Sequence, residues 1–388
     1  MKGKPGLLDA LRLRGLRAAP SQVFGSVRLV PLLRDAPSDD LRMARRKYRD
    51  PMAIVDLGGG VAYASTYVPH ALVVGWTEDG SPVAALGAAL AGKSDGVSLF
   101  KNARCVQLLH RMVKREQGDT LRLLPQHLAL EGFLALHFGG PDIAWSEYSR
   151  RAISHGLDPR SEAMTSGRAI PSLEDALRVF EIHEGQSGVL LFLGDLMASV
   201  FVVSHPDDYR DLHRTLIEDG YAEELYQAAR WNGASPELDS LFDPERTRSL
   251  DDLRAALARV RAGAGAFHLD MAAGVIARPL SAQRVYRAGP FSLQRFLTDL
   301  DPGAENHVGE AIVRDDGTLE YARSYRLSAG QTRRAYLLQK LATHAWNLDA
   351  TAGSLGVTRE ALIVRLDRAG FGYLVKEHVL RAAQKRTR

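Results

Sequence analysis

The sequence lacks the cysteines and the long apolar segments that secreted and membrane proteins use. It has a single cysteine, Cys105, which cannot form an internal disulfide or a four-thiolate metal site. The most apolar run, residues 189–203, contains Gly194 and Asp195 near its centre and is too short to span a bilayer. The first residues, 1–12, carry charge but no continuous apolar stretch, so no secretory signal is predicted. We therefore expect a cytoplasmic protein with no membrane partner.

The sequence also lacks compositional bias, but its charge is unevenly distributed. Hydrophobic residues make up 45% of the chain and charged residues 25%, which is globular composition and excludes disorder over most of the length. Residues 1–49 contain 12 basic and 4 acidic residues, and residues 331–388 contain 11 and 4. Residues 50–330 contain 27 basic and 38 acidic residues. Any contact with nucleic acid should therefore be made by the two ends of the chain.

The hydrophobic pattern predicts an α+β protein with a β-rich body, packed helices and a small all-α domain at the end. Residues 27–33 are typical of a first strand, and short strands with Gly-rich turns continue to about residue 100. Residues 188–203 are nearly all apolar around one turn and predict a hairpin that is covered on both faces. Residues 310–327 predict a second hairpin. Apolar spacing and polar caps predict helices over residues 102–116, 172–180, 207–231 and 249–260.

The last part of the chain has the spacing of a helix-turn-helix. A helix is predicted from Arg333 to Trp346, and a short second helix over residues 348–355 stops before Gly356. Thr358 is well placed as the N-cap of a third helix, which ends at Gly370. The apolar side chains predicted to pack inside this unit are Val357, Leu362 and Leu366. In such a motif the third helix enters the major groove of DNA.

Five residues of this unit are candidates for contact with DNA by position alone. Arg359, Glu360 and Ala361 lie at the start of the third helix, where base edges are read. Thr358 and Asn347 are placed to reach phosphates. The expected partner is double-stranded DNA.

The ungapped string from Asn347 to Gly370 resembles the Fis-type helix-turn-helix that ends bacterial enhancer-binding transcription activators, over residues 331–372. The resemblance implies that Arg359 reads bases and that Arg365 and Arg368 add basic contacts. It departs from the family at Ile363 and Val364, where polar or basic residues are common, and at Asp367, which adds a negative charge. No phosphate-binding Gly-x-x-x-x-Gly-Lys-Ser/Thr motif precedes it, so the ATPase mechanism of those activators is excluded. Fis-type domains dimerise through the preceding helices, so a homodimer is expected. The alternative is that these helices form only a three-helix bundle or a dimerisation unit.

Several blocks of the body, over residues 27–230, resemble the ARG-and-rhodanese-phosphatase-superfamily-associated protein family. The blocks that carry this resemblance are residues 30–33, 101–104, 131–132, 185–188 and 206–209. The family's name implies gene neighbourhoods with ADP-ribosylglycohydrolases. The resemblance therefore implies a link to NAD or ADP-ribose chemistry and a nucleotide-derived small ligand.

A ligand site in the body is predicted from four residues. Lys101 and Arg104 are three apart at a predicted helix start, where both could face one anion. Glu131 and Gln186 could orient a ribose or an amide. The alternative is that these residues only form surface salt bridges. No cofactor is predicted, and no residue is assigned a catalytic role.

A metal site is not predicted either. The densest group of metal-ligating types is His205, Asp207, Asp208, Asp211 and His213. Its acidic residues lie where a helix N-terminus favours negative charge, so capping is the preferred interpretation. Cys105 falls inside a predicted helix and is interpreted as a small buried residue rather than a nucleophile.

These observations divide the chain into four segments and favour a regulator. The segments are a basic N-terminal arm over residues 1–26, an α+β body over 27–230, a helical and β-hairpin extension over 231–327, and the Fis-type domain over 331–388. The leading hypothesis is a bacterial DNA-binding transcription regulator whose acidic body senses a ligand or partner. A regulator is favoured over an enzyme, and the question of whether the body is catalytic is left open. The alternative is an NAD- or ADP-ribose-related binding protein or enzyme, whose terminal helices mediate dimerisation. A third hypothesis is an adaptor in a defence or stress system.

Overall fold

The structure is a computed structural model with an α+β architecture. It describes residues 8–37, 39–43, 54–56, 62–64, 72–76, 82–86, 88–91, 104–108, 113–115, 121–123, 137–138, 173–217, 225 and 244–387. Strands and helices are numbered in chain order within these residues. The strands are β1 Arg17–Ala18, β2 Gln22–Phe24, β3 Val27–Leu33, β4 Leu41–Met43, β5 Ile54–Asp56, β6 Ala62–Ala64, β7 Leu72–Trp76, β8 Pro82–Leu86, β9 Ala88–Ala91, β10 Arg104–Leu108, β11 Val113–Arg115, β12 Leu121–Leu123, β13 Gln186–Leu193, β14 Leu196–Val202, β15 Leu280–Ala288, β16 Phe291–Thr298, β17 Asn306–Arg314 and β18 Leu319–Leu327.

The helices fall into two groups, one within the body and one at the end of the chain. They are α1 Leu173–Val179, α2 Pro206–Leu216, α3 Leu250–Ile276, α4 Ala329–Thr343, α5 Leu348–Ser354, α6 Arg359–Arg368 and α7 Glu377–Arg386. Short 3-10 turns cover Pro244–Arg246 and Gly372–Leu374. In the part of the chain described here, none of the helices combines the length and the apolar character needed to cross a membrane.

A nine-stranded antiparallel sheet forms the centre of the protein. Its strand order is β1-β3-β13-β14-β18-β17-β16-β15, and β2 also pairs with β3. The predicted α+β class is therefore confirmed. The two predicted hairpins are also confirmed as β13–β14 and β17–β18, which lie next to each other in the sheet. The near-continuous apolar sequence of β13 and β14 is explained by burial of both faces.

The sheet takes strands from three of the four predicted segments. Strands β1 and β2 come from the predicted basic arm, β3, β13 and β14 from the predicted body, and β15–β18 from the predicted extension. These three segments therefore share one sheet. Ser328, at the predicted boundary before the last segment, is the N-cap of α4 and forms a capping box with Gln331.

The helix predicted over residues 102–116 is wrong. Residues 104–108 form β10, which pairs with β4 in parallel and with β9 antiparallel, and residues 113–115 form β11. Apolar residues at helical spacing suggested a helix, but pairing with strands that are distant in sequence overrides such local patterns. Cys105 consequently lies in a strand.

The other helix predictions fare better at their starts than at their ends. Ser249 caps α3 in a capping box with Asp252, and α3 continues well beyond the predicted end at residue 260. Helix α1 lies within the predicted range, and Ser172 is outside the described residues. Helix α2 begins as predicted and is described as far as Leu216, and residues 218–224 and 226–231 of the predicted range lie outside the described residues.

Both faces of the sheet are covered by apolar layers. One face packs against α1, α2 and the C-terminal helices, through residues such as Phe201, Tyr209 and Leu338. The other face packs against residues 8–16, called the N-terminal segment, and against α3, and Leu11, Leu190 and Val275 are fully buried there. The N-terminal segment therefore crosses the sheet as part of its second layer.

His268 of α3 makes folding sensitive to pH. It is fully buried, with its ring centre 6.5 Å from that of Phe192. Burial, and to a lesser extent the charge of Arg28, lowers the pKa of His268 to about 4. The unfolded chain has a histidine pKa near 6.5, so it takes up the proton first as the pH falls. The stability contributed by neutral His268 is therefore lost between about pH 6.5 and pH 4.

We expect the substitution His268→Leu to reduce this loss. Between pH 6.5 and 4, the free energy of unfolding of the variant should depend less on pH than that of the wild type, by up to about 1.4 kcal/mol per pH unit. Urea denaturation at several pH values measures this difference. The matched control is His378→Leu on α7, where the side chain is exposed and the wild-type pH dependence should be retained. Equal pH dependence in His268→Leu and wild type would contradict the assignment.

Candidate functional site

The C-terminal helices form the local structure that the sequence predicts. Four residues, 355–358, connect α5 to α6. The Asn347 side chain accepts a hydrogen bond from the Ala350 amide (3.0 Å), and Thr358 Oγ1 accepts one from the Ala361 amide (3.1 Å), so both residues are N-caps. In the turn, Gly356 has a φ of +65°, which a residue without Cβ adopts at little cost.

This helical unit is packed on the body. Leu362 and Leu366 of α6 are fully buried in the cluster that also covers one face of the sheet, and Val357 packs partly buried against it. The predicted interior positions are therefore confirmed. A hydrogen bond between Asn306 Nδ2 of β17 and Thr332 Oγ1 of α4 (3.4 Å) further connects the unit to the sheet.

Helix α7 covers one side of α6. Ile363 of α6 is buried, with 2% of its surface exposed. Glu360 accepts a hydrogen bond from Arg386 (2.9 Å), and Asp367 accepts one from Gln384 (3.1 Å), both donors being on α7. Residues 360, 363 and 367 share one helical face by their spacing. The unusual residues Ile363 and Asp367 are thus explained by contacts inside the protein.

The side chains of α6 that were predicted to contact DNA consequently point in three different directions. Glu360, predicted near base edges, faces α7, and hydrogen bonds from its own backbone amide and from Arg386 hold its pKa below the usual range. Arg359 lies beside α5, with its Nε 3.7 Å from Asp349 Oδ1. A third face carries Thr358, Ala361, Arg365 and Arg368, at spacings of three and four residues, and both arginines are exposed.

The predicted ligand residues of the body are not brought together among the described residues. Lys101 and Glu131 lie outside them. Arg104 begins strand β10, so its expected position at a helix start is wrong. Gln186 is buried at the start of β13, where its side chain accepts from the His183 amide (2.9 Å) and donates to the Gly188 carbonyl (3.3 Å). Its amide group holds together the segment that leads into the strand.

The cluster around His205 has the capping role that the sequence predicts. His205 is the N-cap of α2, and its Nδ1 accepts from the Asp207 amide (3.1 Å). Asp208 is buried and accepts hydrogen bonds from Arg42, and His213 contacts the Tyr209 hydroxyl (3.1 Å). Burial lowers the pKa of His213. Among the residues whose structure is described, no group of three or more His, Cys, Asp or Glu side chains could hold a metal ion.

The structure also contains an arginine-lined pocket that sequence reasoning missed. It has a volume of about 460 Å³ and lies between the N-terminal segment and strands β15–β18. The basic residues that line it are Arg12, Arg14, Arg284, Arg287 and Arg314. These residues come from distant parts of the chain, with Arg12 and Arg14 near its beginning and the other three after residue 280. Only the alternation of polar residues along β15 and β16 is a local signal for this site.

The fold and these sites define an α+β protein with a mixed-charge body, a covered antiparallel sheet and a helical C-terminal unit. The chain belongs to the ARPP-2 family, whose family model matches residues 11–289. The resemblance noted for the body is thereby confirmed, and the match also covers residues 11–26 of the predicted arm. Strands β16–β18 and the C-terminal helices lie outside the matched residues, although these strands continue the same sheet. No curated protein sequence and no solved structure gives a match.

Proposed function

We propose that this ARPP-2 protein is a cytoplasmic, homodimeric DNA-binding protein that regulates transcription. Its C-terminal unit, residues 331–388, reads DNA as a Fis-type helix-turn-helix, and its body receives the signal. The observation that carries the proposal is the outward face of α6, which places Arg365 and Arg368 in solvent beside an N-cap threonine.

The dimensions of α6 suit a recognition helix. It is a ten-residue helix with two buried leucines on one side and an uncovered basic face on another. The major groove admits one α-helix, and side chains from its first turns contact base edges. In this orientation Ala361 is small enough to permit close approach, while Arg365 and Arg368 point along the groove toward bases or phosphates.

The caps of α5 and α6 supply phosphate contacts in this proposal. Asn347 and Thr358 use their side-chain oxygens as acceptors for helix amides. The donors of the same groups, the amide hydrogens of Asn347 and the hydroxyl hydrogen of Thr358, are what a phosphate oxygen requires. Residues 331–388 also carry 11 basic and 4 acidic residues, which favours DNA electrostatically.

Arg359 contacts DNA in this proposal only when it leaves its ion pair with Asp349. Its pair with Asp349 is solvent-exposed, and such pairs contribute little free energy. Exchange of this contact for a guanine edge or a phosphate is therefore inexpensive. Glu360, in contrast, is assigned to the α6–α7 contact and not to base recognition.

The proposal is tested with the full chain and a double variant, Arg365→Ala with Arg368→Ala. We expect its affinity for DNA to fall about tenfold or more, because the loss of one bidentate base contact costs about 1–3 kcal/mol and the loss of a phosphate contact weakens binding to all sequences. The slope of log affinity against log salt should also become shallower by about 1 for each phosphate contact removed. Fluorescence anisotropy on pooled genomic DNA fragments at several salt concentrations measures both quantities.

The matched control removes two exposed arginines of the body, Arg178 and Arg254, each of which pairs with an aspartate three residues away and with no other carboxylate among the described residues. This control should bind DNA as the wild type does. Absence of saturable DNA binding by the wild type would contradict the proposal. Equal binding by both double variants would remove α6 from the interface.

A further inference from the structure

The floor of the arginine-lined pocket is built by three neighbouring strands in a fixed register. Arg284 of β15 is opposite Gln294 of β16, and Arg287 is opposite Ser292. On the next strand, Val313 is opposite Ser292. Directly opposed residues on paired strands point to the same face of a sheet. Two arginines, an amide and a hydroxyl therefore lie side by side on one face.

The N-terminal segment forms the opposite wall. The Leu8 amide donates to Gln294 Oε1 (2.5 Å), and the Asp9 carbonyl accepts from the Leu280 amide (3.0 Å). The Arg14 guanidinium donates to the Asp316 carbonyl. Leu11, between these contacts, is fully buried against the sheet. The wall is therefore held at three points and anchored by an apolar side chain, as a preformed site requires.

The positive charge of this pocket is only partly balanced by its surroundings. Arg287 pairs with Asp315 (2.5 Å), and Arg314 pairs with Asp40 and Glu320 (2.7 Å each). Arg12 pairs with Asp9, which also lines the pocket (3.8 Å), and Arg14 donates to the Asp316 carbonyl and interacts with the charge of the Asp316 carboxylate. Among the described contacts no carboxylate pairs with Arg284. Arg284 thus supplies positive charge to the cavity that none of the described carboxylates pairs with.

Ser292 provides an independent sign of a missing ligand group. It lines the pocket and is buried, with 5% of its surface exposed. Within the described structure, its hydroxyl has no hydrogen-bond partner. A buried hydroxyl without a partner costs roughly 1–3 kcal/mol, so such groups usually have a reason. An oxygen of a bound anion would satisfy it.

We propose that this pocket binds a small molecule that carries a phosphate or pyrophosphate group. Guanidinium groups match phosphate oxygens in charge and geometry, and the serine hydroxyl and glutamine amide lie beside them. The volume of about 460 Å³ exceeds the size of an isolated phosphate and falls within the range of small-molecule sites, which favours a ligand of nucleotide size. The inference does not depend on DNA binding, because α6 does not contribute to the pocket.

The test is isothermal titration calorimetry of the full chain with pyrophosphate, ADP and adenosine, in buffer that contains EDTA. We expect the wild type to bind pyrophosphate and ADP and to bind adenosine at least tenfold more weakly. The Arg284→Ala variant should lose about tenfold or more in affinity for both anions. Arg284→Lys, which keeps the charge and loses the planar fork, should lie between the two.

Two further variants separate binding from folding and from the DNA interface. Ser292→Ala removes an unpartnered polar group, so it should preserve or raise the free energy of unfolding while it weakens anion binding. The double variant of Arg365 and Arg368 should bind pyrophosphate as the wild type does. The proposal is overturned if neither anion binds, if adenosine binds as tightly as ADP, if Arg284→Ala binds normally, or if the α6 double variant loses pyrophosphate binding.

Discussion

Replacement of Asp208 by alanine should lower the free energy of unfolding by about 3–5 kcal/mol, as expected when one partner of a buried ion pair is removed. Asp208 is fully buried, and its oxygens accept from Arg42 Nε and Nη2 at 3.0 Å each. One of these oxygens also accepts from the Met43 amide (3.0 Å). The substitution therefore removes the acceptor of Arg42 Nε and Nη2 and of a backbone amide, and it leaves the buried guanidinium with the exposed Asp39 carboxylate (3.2 Å). The ion pair that connects β4 to α2 is lost.

Urea denaturation of wild type and variant, with the slope of the transition compared between them, measures this effect. The matched control is Asp251→Ala, because Asp251 also lies in the first turn of a helix and also pairs with an arginine, but is exposed. Its loss should cost less than about 1 kcal/mol. A similar small cost for Asp208→Ala would show that the buried pair does not hold the fold together.

Replacement of Gly309 by alanine should cost about 3 kcal/mol, at the upper end of the range for overpacked cores. Gly309 lies in the middle of β17, between β16 and β18. A Cβ added to Gly309 would lie 2.3 Å from the Arg323 carbonyl oxygen and 2.9 Å from Ser324 Cα. Both atoms belong to the backbone of the paired strand, so the clash is relieved only by distortion of the ladder.

The same substitution at Gly274 should have the opposite sign. Gly274 lies in α3, and a Cβ there would meet nothing within 4 Å. Alanine has a higher helix propensity than glycine, so Gly274→Ala should raise stability by about 0.5–1 kcal/mol. Thermal or urea unfolding of the two variants and the wild type measures both changes in stability. If Gly309→Ala were as stable as the wild type, the close approach of β17 and β18 would be contradicted.

The parts of the fold that could be predicted from the sequence are those set by neighbouring residues. The β13–β14 hairpin follows from two apolar runs around Gly194 and Asp195, and the caps of α5 and α6 follow from Asn347 and Thr358. Each depends on an interaction that spans only a few residues. The helix predicted over residues 102–116 failed because β10 is decided by its partners β4 and β9.

In the candidate sites, too, features set by neighbouring residues could be predicted and features set by distant residues could not. Arg365 and Arg368 were expected from the resemblance to the Fis-type motif, and their helical spacing places them on one exposed face of α6. The role of Glu360 could not be predicted, because it depends on where α7 packs and hence on Arg386. The arginine-lined pocket was missed since residues near positions 14, 284 and 314 meet only through the order and register of the strands.

The pairing of β3 with β13 has a consequence for chain entropy. The Arg34 amide donates to the Gly185 carbonyl (2.9 Å). The connection between β3 and β13, residues 35–184, therefore begins and ends at neighbouring positions of two paired strands. The entropy lost on closing a loop grows only with the logarithm of its length, about 0.6 kcal/mol for each doubling. Insertions or deletions within this connection should therefore change the free energy of unfolding of the sheet only slightly, provided that residues of the connection that pair with the rest of the protein, such as Arg42 with Asp208, are retained.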